Sequence, residues 1–232
     1  MTVRRATPER LRPCVVGVIA SRADLDRAIQ MRRPPDLFEV RLDCLVHLVE
    51  QLENKLPRLG APLIITARHP REGGANKLSL RQRRSLLTRF LPHARYVDVE
   101  LRSALALNSF LRLAEHKRVR RIISFHNFKS TPSLRILWAK ARAAESHAAN
   151  IFKVATRTDT PVEVARLLSF LTNKNVDLPA SAMGIGKLGA ISRVLLARAG
   201  SALVYGSIAR ETDIEGQLSL EQLRMLGIAS RR

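Results

Sequence analysis

Short β-type runs alternate with amphipathic helical stretches eight times along this chain, and no other feature limits its possible folds so strongly. The strand candidates are VVGVIA (15–20), LFEVRLD (37–43), PLIITAR (62–68), YVDVE (96–100), RIISFH (121–126), IFKVAT (151–156), LPASAMG (178–184) and ALVYGS (202–207). Stretches such as ADLDRAIQ, SLRQRRSLLTRFL and TPVEVARLLSFLTNK fill the gaps, and SLEQLRMLG closes the chain. Strict βα alternation makes the strands parallel, joined by right-handed crossovers. Eight such units in 232 residues predict a compact closed (β/α)₈ barrel, of the α/β TIM-barrel class. An open doubly wound sheet is the alternative, but no GxGxxG opens a helix, which weakens its dinucleotide-binding form. No linker, low-complexity tract or composition break divides the chain. Residues 1–232 are therefore read as a single domain, with 1–13 a short N-terminal segment expected to be flexible.

Composition bounds the partners. At 46% hydrophobic and 26% charged, the chain has the balance of a globular protein with a full core. Its longest apolar runs, such as CVVGVIA (14–20), are too short to span a bilayer, so no membrane partner is expected. Arginines before that run and a small-residue IAS within its end imitate a weak signal peptide, but the run is short, β-rich and reads as the first strand. Cys14 and Cys44 match no metal or redox spacing, which favours a cytoplasmic, reduced setting. Forty basic residues against twenty acidic ones leave a net charge of +20, attractive to any polyanion or small anion. The densest basic clusters, RQRR (81–84) and HKRVRR (116–121), lie beside helical stretches and read as solvated faces. With two tyrosines and one tryptophan there is little to stack bases on, so no specific nucleic-acid partner is expected. A small anionic substrate fits better.

A barrel keeps its chemistry at the C-terminal ends of its strands. In FEVRLD, Glu39, Arg41 and Asp43 alternate with Phe38, Val40 and Leu42, so the charged set shares one face and points inward. It either seals the barrel as a polar layer or, as a Glu39–Arg41 pair, binds the hydroxyls of a polar substrate. Arg68 closes the third strand. The loop after it carries Glu72 and the Gly73-Gly74 pair, and reads either as a lid or as a surface excursion. His126, at the end of the fifth strand, is a structural histidine or a general acid/base that Glu72 could orient. Lys153 sits in the sixth strand on the same face as Ile151 and Ala155, one of eight lysines in the chain. It is a structural ion-pair partner or a nucleophile. Desolvation and nearby arginines are expected to favour its neutral form, which can attack a carbonyl to form a Schiff base. GKLGAISR (186–193) enters a helix through glycines, and Arg193 with Gln217 could hold a phosphate or a carboxylate.

EVRLD (39–43), TARHPREGG (66–74), DVEL (98–101), SFHNFKSTPS (124–133), IFKVA (151–155), GKLGAISR (186–193) and GQLS (216–219), in this order, resemble the type I 3-dehydroquinate dehydratases. The resemblance covers nearly the whole chain from the first strand onward. It implies a (β/α)₈ barrel, usually homodimeric, that dehydrates 3-dehydroquinate to 3-dehydroshikimate with no metal or other cofactor. By position, Lys153 would form the imine, His126 would move the protons and Glu72 would position His126. Glu39, Arg41 and Arg68 would bind ring hydroxyls, and Arg193 and Gln217 the carboxylate. The last loop departs from the family pattern. It reads ETDIEGQ, with Asp213 where a serine or threonine usually stands and Glu215 in place of a proline. Two acids there are expected to repel an anionic substrate unless the lid arranges differently or Thr212 substitutes. Ile185 stands where a methionine is common, and Asn127 where an aspartate is frequent. Another Schiff-base barrel lyase, such as an aldolase, and a non-catalytic basic barrel that binds nucleic acid or a protein are the other readings.

Overall fold

The computed structural model describes residues 12–173, 175–209 and 215–228 of the 232. Of the N-terminal segment expected to be flexible, residues 1–11 lie outside the described residues. All eight expected strands form: β1 Cys14–Ile19, β2 Leu37–Arg41, β3 Leu63–Thr66, β4 Ala94–Glu100, β5 Arg120–Asn127, β6 Ile151–Arg157, β7 Ala180–Ile185 and β8 Leu203–Ser207. Every ladder is parallel, in the order β7-β6-β5-β4-β3-β2-β1-β8. The seam between β7 and β8 is bridged by a bond from the Ala202 N–H to the Ala180 carbonyl (2.8 Å) and by the Ser181 hydroxyl on the Leu203 carbonyl (2.9 Å). The barrel is thus nearly closed.

The helices are α1 Arg22–Ile29, α2 Val49–Lys55, α3 Leu80–Phe90, α4 Leu101–Ala104, α5 Asn108–His116, α6 Leu134–Ser146, α7 Pro161–Thr172, α8 Gly189–Arg198 and α9 Leu220–Met225. Their starts follow local chemistry. Ser79 and Gln82 cap α3 reciprocally, as do Ser219 and Gln222 at α9, and α7 begins on Pro161, whose missing N–H has no partner to lose there. Among the described residues no helix is long and apolar enough to cross a membrane.

Strand alternation sorts the core into two compartments. Phe38, Val40, Ile65, Val97, Ile123, Phe152 and Val154 face outward and pack with helix residues such as Leu25, Leu87 and Leu167. Val16, Leu37, Ile64, Ile122, Ile151 and Leu203 face inward and fill the lower barrel. Two residues further along the strands the interior turns polar: Glu39, Thr66, Asp98, Ser124, Lys153 and Ser181 are all buried there, beside Tyr205. That change of layer, from apolar to charged, is what creates a site.

Candidate active site

Arg68 is the hub of the buried charges. Strand β3 ends at Thr66, so Arg68 lies just beyond it rather than closing it. Its guanidinium grips both oxygens of Asp98, at 3.0 and 3.1 Å, and reaches Ser124 Oγ (2.7 Å), Glu100 (3.2 Å) and Glu39 (3.4 Å). Glu100 is also paired to Arg83, which is fully buried and bonds the Ala67 carbonyl (2.7 Å) and Ser103 Oγ (3.1 Å). Lys153 completes the group, with Nζ at 2.8 Å from Asp98 Oδ2 and 3.3 Å from Glu39 Oε1. Glu39, Asp98 and Glu100 therefore face Arg68, Arg83 and Lys153. A buried cluster balanced in charge and bonded throughout avoids the penalty of an unpaired ion. Burial pushes the Asp98 carboxyl up, but Arg68 and Lys153 outweigh it and hold the group well below the usual carboxylate range.

The expectation of a lysine facing arginines needs correcting. The nearest charges to Lys153 are two carboxylates, and Arg68 binds the far side of the same pair. Below the ammonium lies the Tyr205 ring, its centroid 4.2 Å away. Glu39 and Arg41, which both line the cleft, do not bond to each other. Arg41 forks instead onto Asp43, at 3.0 and 2.7 Å, and bonds the Gly73 carbonyl at 3.0 Å. Asp43, wholly buried, accepts the backbone N–H groups of Arg68 and Ala75 as well, both at 3.0 Å. It is the clasp that fixes the loop carrying Glu72. Glycines let this loop turn: Gly73 has φ 82, and a Cβ on Gly74 would lie 2.2 Å from the Arg68 carbonyl oxygen.

That loop delivers Glu72 to His126. One carboxylate oxygen, Oε2, accepts the His126 backbone N–H at 2.9 Å and lies 3.0 Å from Nδ1. When Glu72 is ionised it accepts from Nδ1–H, and the lone pair is left on Nε2. Burial, with Arg68 and Lys153 as like charges, lowers the imidazole's pKa well below its usual value, so the ring is neutral at pH 7. Burial, reinforced by Glu100, raises the Glu72 carboxyl to about 7. Two groups bonded to each other are thus both shifted by the same desolvation.

Across the barrel Arg193 of α8 is buried and donates from Nε to the Gly216 carbonyl (3.1 Å) and from Nη1 to the Tyr205 carbonyl (3.2 Å). Among the described residues no carboxylate pairs with it, and burial alone pushes it down to about 10. Glu39, Arg41, Arg68, Glu72, His126, Lys153, Arg193 and Gln217 all line one cleft of about 610 Å³ at the C-terminal end of the barrel. Asp213 and Thr212 lie outside the described residues.

Residues 14–227 match the family model described as type I 3-dehydroquinase. The chain belongs to the type I 3-dehydroquinase family. It is 32% identical over 235 residues to a 3-dehydroquinate dehydratase of Shouchella clausii, covering 94% of this chain and 91% of that one. With the enzyme of that name from Pyrococcus abyssi it shares 32% over 200 residues, 82% and 86% of the two chains. The crystal structure of 3-dehydroquinate dehydratase from Geobacillus kaustophilus superposes with a TM-score of 0.83 at 26% identity, covering 93% of this chain and 90% of that one.

Within this dehydroquinase-family barrel, Glu215 is the one of the two last-loop acids that lies among the described residues. Its side chain turns to Arg157 (3.3 Å) and is not part of the cleft wall, while its carbonyl accepts the Gly186 N–H at 3.0 Å. Asp98, Glu100, Arg83 and Tyr205 were not assigned from the sequence. The alternation in YVDVE, the same signal that flags FEVRLD, places Asp98 and Glu100 inward, and would have found both. Nothing comparable marks Arg83, one of four arginines in α3, and its burial corrects the reading of RQRR (81–84) as a wholly solvated face. No group of three or more His, Cys, Asp or Glu side chains among the described residues is placed to hold a metal ion.

Proposed function

We propose that the chain removes water from 3-dehydroquinate to give 3-dehydroshikimate through an imine on Lys153, with no metal or cofactor. The observation that carries this is one cleft holding both a buried lysine and a neutral imidazole braced by a carboxylate. The Lys153 amine, once its proton has passed to a neighbouring base, adds to the substrate ketone, and the carbonyl oxygen leaves as water. Nε2 of His126 takes a proton from the adjacent carbon, and the electron pair flows into the imine as an enamine. The enamine returns those electrons to expel the β-hydroxyl, which departs with the His126 proton, and hydrolysis frees the product and the lysine. Glu72 stabilises the transient imidazolium through Nδ1–H, while Glu39, Arg41 and Arg68 line the side for the ring hydroxyls. Arg193, which no carboxylate among the described residues pairs with, takes the substrate carboxylate together with Gln217. A single barrel domain over residues 1–232, a homodimer and a cytoplasmic setting complete the reading; light scattering at twice the chain mass would support the dimer.

Borohydride reduction in the presence of 3-dehydroquinate tests the chemistry. Peptide mass analysis should find the reduced adduct on Lys153, and turnover should release a conjugated product that absorbs in the ultraviolet. Wild-type protein giving neither adduct nor product would refute the reading.

A further inference from the structure

Behind the His126–Glu72 pair lies a second cavity, of about 310 Å³, that the proposed reaction does not use. Glu72 and His126 form part of its wall as well as part of the substrate cleft, so the pair is approached from two sides. The remaining wall is strongly one-sided in charge. Arg71 comes from the loop after β3, Arg102 from α4 and Lys140 from α6, and Glu72 is the lone carboxylate among the lining residues. None of the three cations is fully engaged among the described residues. Arg102 Nε stands 3.8 Å from Glu72 Oε1, beyond hydrogen-bond length. The Lys140 ammonium lies 4.0 Å over the Phe125 ring, and neither it nor Arg71 forms an ion pair with a described residue.

We propose that this cavity binds a small oxyanion, held by Arg71, Arg102 and Lys140, and that its occupancy slows the enzyme by acting on Glu72 from the side away from the substrate. The inhibitory half rests on the dehydratase reading of Glu72; the binding half does not. Glu72 is surrounded by Glu100 from β4, Arg68 and Arg71 from the β3 loop, Arg102 from α4, His126 from β5 and Lys140 from α6. Burial and Glu100 favour its protonated form, while the His126 N–H, Arg68 and Arg102 favour the carboxylate. An anion seated on Arg102 neutralises that cation and adds a like charge, so it favours protonated Glu72. By reciprocity, protonated Glu72 favours the anion, and binding tightens as pH falls through the titration of Glu72. An occupied cavity moves the acid limb of activity to higher pH.

Sulfate is a suitable probe, because its charge is constant across this range. Calorimetric titration at constant ionic strength, with chloride as the exchanged ion, should show one sulfate bound, more tightly at pH 6 than at pH 8. R102M/K140M should weaken it at least tenfold, and K140M alone less; thermal melts check that both variants fold. In initial-rate assays at pH 7 sulfate should lower kcat and leave KM unchanged, by up to roughly tenfold if the acid limb moves by one unit. The double variant should lose that effect. Binding that survives in R102M/K140M, or inhibition purely competitive with substrate, would overturn the proposal. Sulfate bound and lost with the two cations, in a protein that does not turn over 3-dehydroquinate, would support the site while refuting the enzymatic reading.

Discussion

On the proposed mechanism, Glu72 serves the reaction at the expense of the fold. Its carboxyl is raised to about 7 from 4.5, so below pH 4.5 it is protonated in both folded and unfolded chains and its contribution to stability is fully present. That contribution is lost as pH rises through about 7, because the folded protein must then hold a buried anion. The gap corresponds to roughly 3 kcal/mol. Glu72→Gln keeps an oxygen for both His126 donors and removes the charge. It should therefore melt at higher temperature than wild type above pH 7, with the two curves converging toward pH 4. If Glu72 orients the base as proposed, kcat should fall roughly 10–100-fold, part of the roughly 10²–10⁴-fold that a positioned acid/base supplies. Equal melting temperatures at pH 8 would refute the strained carboxylate. Arg193 is the complementary case, a buried guanidinium held by carbonyls that the proposed mechanism assigns to the substrate carboxylate. Arg193→Met should raise KM by roughly 30-fold or more, since a charge-assisted bond to a carboxylate is worth about 2 kcal/mol or more. It should change kcat little and leave the melting temperature unchanged or higher, because a buried charge that no described carboxylate compensates goes with it. A lower kcat at unchanged KM would move Arg193 out of the carboxylate subsite.

At the scale of elements, strand alternation made most of the site legible. A period of two in FEVRLD, IFKVAT and RIISFH places Glu39, Lys153 and His126 inside the barrel, and the structure puts all three in one cleft. Alternation could not say which ions pair, because pairing depends on stagger between strands and on loops that cross their ends. Arg41 illustrates this. By sequence it sits beside Glu39, yet its partner is Asp43, which the chain reversal after β2 turns beneath the β3 loop. Asp43 then joins three pieces: the Arg41 fork, the entry to Arg68 and the Ala75 N–H. Asp43→Asn should loosen all three at once. The expected loss is roughly 3–5 kcal/mol of stability, as for breaking a buried ion pair, with kcat/KM down at least tenfold because Arg41 and Glu72 shift together. Denaturant unfolding and initial rates check it. A destabilised variant with unchanged kcat/KM would reduce Asp43 to a structural clasp with no part in placing the site.

For the whole molecule, the count of eight βα units was enough to read the barrel, whereas its seam between β7 and β8 rests on serine hydroxyls and a loop N–H that no periodicity marks. The charge of +20 is the global property left to explain. Inside the barrel the ions are balanced, so the excess lies elsewhere, on outward side chains such as Arg81, Arg84, Arg112 and Lys117, all exposed. Charges spread this way act through the field of the molecule rather than through contacts, and salt screens them over a Debye length of about 8 Å at physiological ionic strength. The buried Arg193 is screened far less. The two contributions to capture of an anionic substrate are therefore separable by salt. Raising sodium chloride from about 10 mM to about 500 mM should lower kcat/KM several-fold by weakening long-range attraction, with kcat nearly constant. Arg193→Met should show the same relative salt dependence from a lower starting value. If kcat/KM instead stays flat in wild type, the surface field has no part in substrate capture and the arginine-rich exterior needs another explanation.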